Sequence, residues 1–188
     1  MQQPILKEFP QEFHTRRLFI RLPLPGDGTA VYEAIQASRK ELKKWLPFAK
    51  SEQTLEETEI NIRESHVDFL KREDLRFLIF DRVSGAFIGS TGLHRIDWDV
   101  SKFEIGYWID SRCQGKGYMT EAVAGLTEFA FQTLGANRVE IKCDERNERS
   151  RAICERLGYT LEGIHRQDSR AIDSDELRNT CIYARIEW

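Results

Sequence analysis

The sequence predicts a mixed α/β (α+β) domain, a central sheet of about seven strands flanked by helices, and three observations carry that prediction. Two strand-like segments, 76–82 and 87–94, stand either side of the short Val83-Ser84-Gly85 turn, the spacing of an antiparallel hairpin. Farther on, a strand, a glycine-rich corner, an amphipathic helix and another strand follow one another over 103–143, the order of a crossover connection. Hairpins early and a crossover late share one sheet only if that sheet is mixed, with helices on its faces.

Each element has a local reason. Leu18, Ile20 and Leu22 alternate with Arg17, Phe19 and Arg21 before Pro23, Pro25 and Gly26 end the run, so the first strand is expected at 17–23. A helix over 29–46 carries Val31, Ile35 and Leu42 and stops before Pro47. A second helix starts at Thr54, with Glu57 three residues on as a capping box, and runs to Arg72. After the hairpin, 103–109 reads as a strand, Val123, Leu126, Ala130 and Leu134 mark a helix stopped by Gly135, and 139–143 is a strand. A helix over 148–157 ends at Gly158, and 159–164 and 181–186 close the chain as strands.

The chain of 188 residues has the length of one domain, 1–188. Its 40% apolar and 31% charged content suits a packed interior and excludes disordered and collagen-like classes. With 28 Lys and Arg against 31 Asp and Glu, no general positive field exists to hold a nucleic acid or an anionic membrane. Neither is expected as a partner. Cys113, Cys143, Cys154 and Cys181 lie far apart, without a C-x-x-C pair or a secretory leader, which points to reduced thiols in a cytoplasm and to no metal site.

The most informative segment is Arg112-Cys113-Gln114-Gly115-Lys116-Gly117, between a strand and a helix. Glycines let the backbone approach a ligand, and a helix start offers unpaired N–H groups with partial positive charge, a setting for phosphate. Gly117-Tyr118 after Lys116 is no P-loop ending, and Thr120 falls where a dinucleotide fingerprint needs its third glycine. Phosphate binding survives while ATP and NAD lose ground. Cys113 beside the helix start is expected to have a lowered thiol pKa. A second segment, Asn147-Glu148-Arg149-Ser150, opens the following helix; Asn147 suits an N-cap and Glu148 the first turn.

Together with Phe103-Glu104-Ile105-Gly106-Tyr107-Trp108-Ile109, Leu157-Gly158-Tyr159, Leu161-Glu162-Gly163 and Ile182-Tyr183-Ala184-Arg185, these segments resemble the GNAT acetyltransferases, and within them the RimJ/RimL type that acetylates protein N-terminal amines. The resemblance runs from the strand near Leu18 to the last strand. It implies acetyl-CoA as co-substrate, held by the backbone of Tyr107, Trp108 and Ile109 in a gap between two parted strands. Arg112, Gln114, Gly115, Lys116, Gly117 and Tyr118 would surround its pyrophosphate, and Asn147 would contact the pantetheine side. It implies Glu104 as the base that takes the amine's proton and Ser150 as the proton donor to the departing thiolate, Cys154 standing where many members place a tyrosine donor. Each has a structural rival, an edge carboxylate for Glu104 and a helix-start hydroxyl for Ser150.

Trp45 and Phe48, in the apolar run after the first helix, and His94, at a strand end, are the expected acceptor contacts, although packing explains the aromatics equally well. A peptide α-amine, with a pKa near 7.7–8.0 against about 10.4 for lysine, needs little help to lose its proton. The expected reaction is acetyl transfer to a protein N-terminus, that of a ribosomal protein in the first instance, by direct attack. A small-molecule amine acetyltransferase and a non-catalytic CoA-binding module are the alternatives, and a homodimer is common in this branch.

Overall fold

The computed structural model describes residues 3–172 and 174–186. Its strands are β1 (Glu12–His14), β2 (Leu18–Arg21), β3 (Leu75–Asp81), β4 (Phe87–Asp97), β5 (Lys102–Ile109), β6 (Arg138–Asp144), β7 (Thr160–Arg170) and β8 (Leu177–Ile186). Its helices are α1 (Gly28–Leu42), α2 (Leu55–Lys71), α3 (Tyr118–Gln132) and α4 (Glu148–Arg156). The strands form one sheet in the order β1-β2-β3-β4-β5-β6-β8-β7, antiparallel except between β5 and β6. The mixed sheet and the late crossover are as the sequence predicts.

The eighth strand, β1, lies in the polar leader and has no period long enough to announce it. Phe13 anchors it, stacked on Phe129 at 5.1 Å and set edge-on to Phe77 at 5.5 Å. The first helix stops four residues short of the prediction, at Leu42, and Pro47 opens a separate 3-10 turn, Pro47–Ala49. The last two strands start or end beyond 159–164 and 181–186 because they pair with each other out to Arg170 and Leu177.

Two buried clusters lie on opposite faces of the sheet. Val123, Leu126 and Ala130 of α3, spaced one helical turn apart, pack with Phe103, Ile105, Val139 and Ile141. Val31, Ile35, Leu42 and Ile62 of α1 and α2 pack with Leu78 and Trp108. Burying a side chain of that size contributes about 1.5–3 kcal/mol, so each helix is fixed by its apolar stripe. The predicted capping box is present: the Glu57 N–H donates to Thr54 Oγ1 at 3.1 Å and the Thr54 N–H to Glu57 Oε2 at 2.7 Å.

The sheet positions the site by parting. β5 and β6 pair in register only at Lys102–Arg138, Phe103–Val139 and Glu104–Glu140. Beyond Glu104, the β6-facing edge of β5 has no strand partner.

Candidate active site

The corner at the end of β5 is organised by Asp110, whose side chain is almost wholly buried. It accepts from the Arg112 N–H at 2.9 Å and from the Arg112 guanidinium at 2.6–3.0 Å, while the Ser111 N–H donates to Ser38 Oγ of α1 at 2.7 Å. Burial alone would raise the Asp110 pKa, but the Arg112 bonds outweigh it and the group is lowered. Arg112 is thus engaged by its own corner. Gly115 and Gly117 follow with φ of +75° and +77°, a region open mainly to glycine. Gly117 is the N-cap of α3, and the N–H groups of Gly115, Lys116 and Gly117 meet no protein acceptor among the described residues. Those donors, joined by the first turn of α3, form a cradle for an anion.

Arg17, a residue the sequence does not single out for the site, backs this cradle. Its guanidinium donates to Lys116 O at 2.9 Å and to Glu121 Oε2 at 2.6 Å, lies 4.5 Å over the Tyr118 ring, and stands 3.5 Å from where a Gly117 Cβ would be. Glu121 also accepts from Thr15 Oγ1 and the Arg17 N–H; burial opposes its ionisation, yet these bonds hold its pKa below the usual range. The contact joins residues about a hundred positions apart, so no local pattern could show it. Cys113 departs from expectation: burial and then Asp110 raise its thiol pKa, outweighing Lys116 and Arg112.

Across the parted strands stands α4. Asn147 is its N-cap, Oδ1 accepting from the Ser150 N–H at 3.2 Å. The Ser150 hydroxyl lies 2.7 Å from the Tyr107 hydroxyl. Burial drives the Tyr107 pKa far up, so its hydroxyl keeps its proton. Gln114 is tied to α4, its Oε1 accepting from Arg149 at 2.6 Å. Tyr159 is a packed aromatic, its hydroxyl 2.7 Å from Thr127 Oγ1.

On the other face, a cavity of about 360 Å³ opens between α1, α2 and the sheet. Val31, Ile35, Leu46, Phe48 and Trp108 supply its apolar wall, with Arg76, His94 and the Gly106–Trp108 stretch of β5 also lining it. His94 lies across two glycines: a Cβ on Gly92 would meet its Nε2 at 2.8 Å, and one on Gly106 at 3.1 Å. Its Nδ1 is 2.6 Å from Asp74 Oδ2. A carboxylate accepts, so Nδ1 carries the proton of the neutral ring and Nε2 is left as an acceptor.

Two of the expected residues, Glu104 at the head of the gap and Trp45, do not line the cavity. Glu104, opposite His94 in register, is ion-paired to Arg95 and, at 2.9 Å, to Lys142, and does not line the cavity. Trp45 turns from the cavity to β8, with the Arg178 guanidinium 5.4 Å over its ring, because the chain breaks out of helix before Pro47. Phe48 does line the cavity, 6.0 Å from Trp108.

Residues 17–160 match the family model described as Acetyltransferase (GNAT) domain. The chain belongs to the GNAT acetyltransferase family. GNAT enzymes are acetyl-CoA-dependent N-acetyltransferases. A Bacillus subtilis relative, YdaF, whose name provisionally describes a ribosomal N-acetyltransferase, is 39% identical over 148 residues, covering 77% of this chain and 78% of YdaF. The ribosomal-protein-serine acetyltransferase of Escherichia coli is 28% identical over 156 residues, covering 83% of this chain and 85% of that enzyme. The solved structure of RimL, a ribosomal L7/L12 alpha-N-protein acetyltransferase in complex with coenzyme A, superposes with a TM-score of 0.85 at 23% identity, covering 92% of this chain and 95% of RimL. This GNAT chain shares the RimL fold. Among the described residues, no helix is long and apolar enough to cross a membrane and no His, Cys, Asp and Glu group could hold a metal.

Proposed function

We propose that this single-domain GNAT protein transfers acetyl from acetyl-CoA to the N-terminal α-amine of a protein, a ribosomal protein in the first instance, and so works in the cytoplasm. One observation carries the reading: the parted edge of β5 and the cavity against α1 and α2 meet at the same residues, Gly106–Trp108. A donor lying in the gap and an amine entering from the cavity would therefore face each other at one strand, the geometry direct attack requires.

Acetyl-CoA supplies an activated acyl group. The residues present fit it, because the N–H groups of Gly115–Gly117, without an acceptor among the described residues, and the first turn of α3 offer donors where a diphosphate needs them. The unpartnered β5 edge at Tyr107–Ile109 can hold the rest of the ligand and its carbonyl by main-chain bonds. The Asn147 Oδ1 caps α4, which leaves its Nδ2 donors for the pantetheine side of the ligand.

For the proton of the amine, the geometry favours His94 over Glu104. His94 lines the cavity and its ring is oriented by Asp74, whereas Glu104 is paired with Arg95 and Lys142 and does not line it. Ser150, hydrogen-bonded to a Tyr107 hydroxyl that stays protonated, is placed to return a proton to the thiolate. Ser150→Ala is expected to lower kcat about 10²–10⁴-fold with little change in the Kd for coenzyme A; an unchanged kcat would leave Ser150 a helix-start hydroxyl.

Mass spectrometry of N-terminal peptides and small amines after incubation with acetyl-CoA tests the whole reading. Acetylated α-amines on peptides support it. Acetylation confined to polyamines or other small amines overturns it, and coenzyme A binding without transfer to any amine would mark a binding module.

A further inference from the structure

Arg76 is the uncompensated charge of the acceptor cavity. It lines that cavity beside Phe48, Trp108 and His94, and its side chain is held only by neutral oxygens. Nε donates to Ser90 Oγ at 3.2 Å, and Nη1 donates to Asn61 Oδ1 at 2.7 Å and to Ser65 Oγ at 3.2 Å. Nη2 has no acceptor among the described residues, and no carboxylate among them lies within ion-pair distance. The acid that acts on it, Asp74, is bonded to the His94 ring. Burial pushes the guanidinium pKa down, the Asp74 charge offsetting part of this, but an arginine stays protonated.

Arg76 is half-buried, and a cation partly withdrawn from water is costly unless an anion answers it. In a chain with 31 acidic residues against 28 basic ones, the scarcity is not of carboxylates but of one aimed here. Asn61 and Ser65, one turn apart on α2, fix the guanidinium from behind and leave its other edge open.

Position defines what could answer. Arg76 pairs with Gly92 and Gly92 with Gly106, so the three stand in a row across the sheet, and two strand spacings put the Arg76 backbone about 10 Å from the β5 edge. The His94 ring bridges the interval over the two glycines. An amine beside His94 and a carboxylate on the Arg76 guanidinium would be neighbours about one strand spacing apart, roughly 5 Å, an interval that an acidic side chain on the first or second residue of a peptide spans from the N-terminal nitrogen.

Resting on the N-terminal reading above, we propose that Arg76 selects acceptors with a carboxylate near the amine, which for a protein substrate means Asp or Glu at one of its first two residues. The guanidinium and a carboxylate would form paired, charge-assisted N–H···O bonds, with the cavity's apolar wall taking the neighbouring side chain.

The test compares peptides bearing Asp or Glu at residue one or two with their Asn and Gln counterparts, alongside small amines bearing a carboxylate and their amides, all with acetyl-CoA. The wild type is expected to show a kcat/KM about 10–100-fold higher for the acid of each pair, the range set by one charged hydrogen-bonded pair. In Arg76→Gln the ratio falls to about one while the Kd for coenzyme A holds; Arg76→Lys, which retains the charge without the fork, keeps a ratio of several-fold and serves if the glutamine variant does not fold. Equal use of acids and amides by the wild type, or a preference that survives in Arg76→Gln, overturns the assignment. If peptides are untouched but small carboxylate amines show an Arg76-dependent preference, the N-terminal reading fails and the anion site stands.

Discussion

Replacing His94 with glutamine is expected to lower kcat by about 10²–10³-fold, the usual contribution of a positioned general base, while changing the Kd for coenzyme A less than about twofold. Glutamine fills a comparable space over Gly92 and Gly106 and can still donate to Asp74, but its amide nitrogen and oxygen cannot take a proton from an ammonium. The charges facing the ring are Asp74 at 2.6 Å, Glu104 across the β4–β5 pair and Arg76 in the adjacent row. Glu104→Gln serves as the contrast. It removes the carboxylate shared by Arg95 and Lys142, so it should lower the Tm and reduce kcat less than about tenfold. The reverse ranking, turnover abolished by Glu104→Gln and spared by His94→Gln, would return the base to Glu104.

That the proposed base, His94, stands one strand over from the expected Glu104 shows which information is local. The β5 strand, the glycine corner and the α3 stripe lie in one contiguous segment, and each has a signal within a few residues: alternation, positive-φ glycines, an i, i+3, i+4 repeat. The capping box at Thr54 is equally local, and so is Asn147 at the start of α4. The Asp74–His94 pair depends instead on the register of β3 against β4, and the openness of the Arg76 guanidinium depends on which α2 residues pack over it. Neither has a periodicity. Arg17 illustrates the same limit, since its side chain reads as one outward position of an alternating strand and acts through Lys116 and Glu121, about a hundred residues away. Glu104 was legible as a carboxylate beside the gap, but its two cationic partners arrive from β4 and β6 and are settled only when the sheet is assembled. Trp45 and Phe48 separate for a related reason. They flank Pro47, and the turn there sends one ring to β8 and the other into the cavity.

The second large effect is expected at the glycine corner. Gly117 has φ of 77° and ψ of 4° at the N-cap of α3, and a non-glycine residue in that region costs roughly 1–2 kcal/mol, more when β-branched. At roughly 2–4 °C per kcal/mol for a chain of this size, Gly117→Val should lower the Tm by about 3–8 °C. A greater loss is expected in binding. The Gly115–Gly117 N–H groups have no acceptor among the described residues, and a charge-assisted bond to a phosphate oxygen contributes about 1.5–3 kcal/mol, so displacing even one weakens coenzyme A binding about 10–100-fold. The nearest atom to a new Cβ is Arg17 Nη2 at 3.5 Å, an ordinary contact; the harm therefore comes from backbone strain and from isopropyl bulk over the cradle rather than from a clash behind it. Gly117→Asn separates the two, because asparagine tolerates the left-handed region: it should recover most of the Tm while binding coenzyme A less tightly than the wild type. Calorimetric titration with coenzyme A reads both variants, and an unchanged Kd in Gly117→Val would place the diphosphate away from this corner, leaving the parted edge of β5 without the ligand it is proposed to hold.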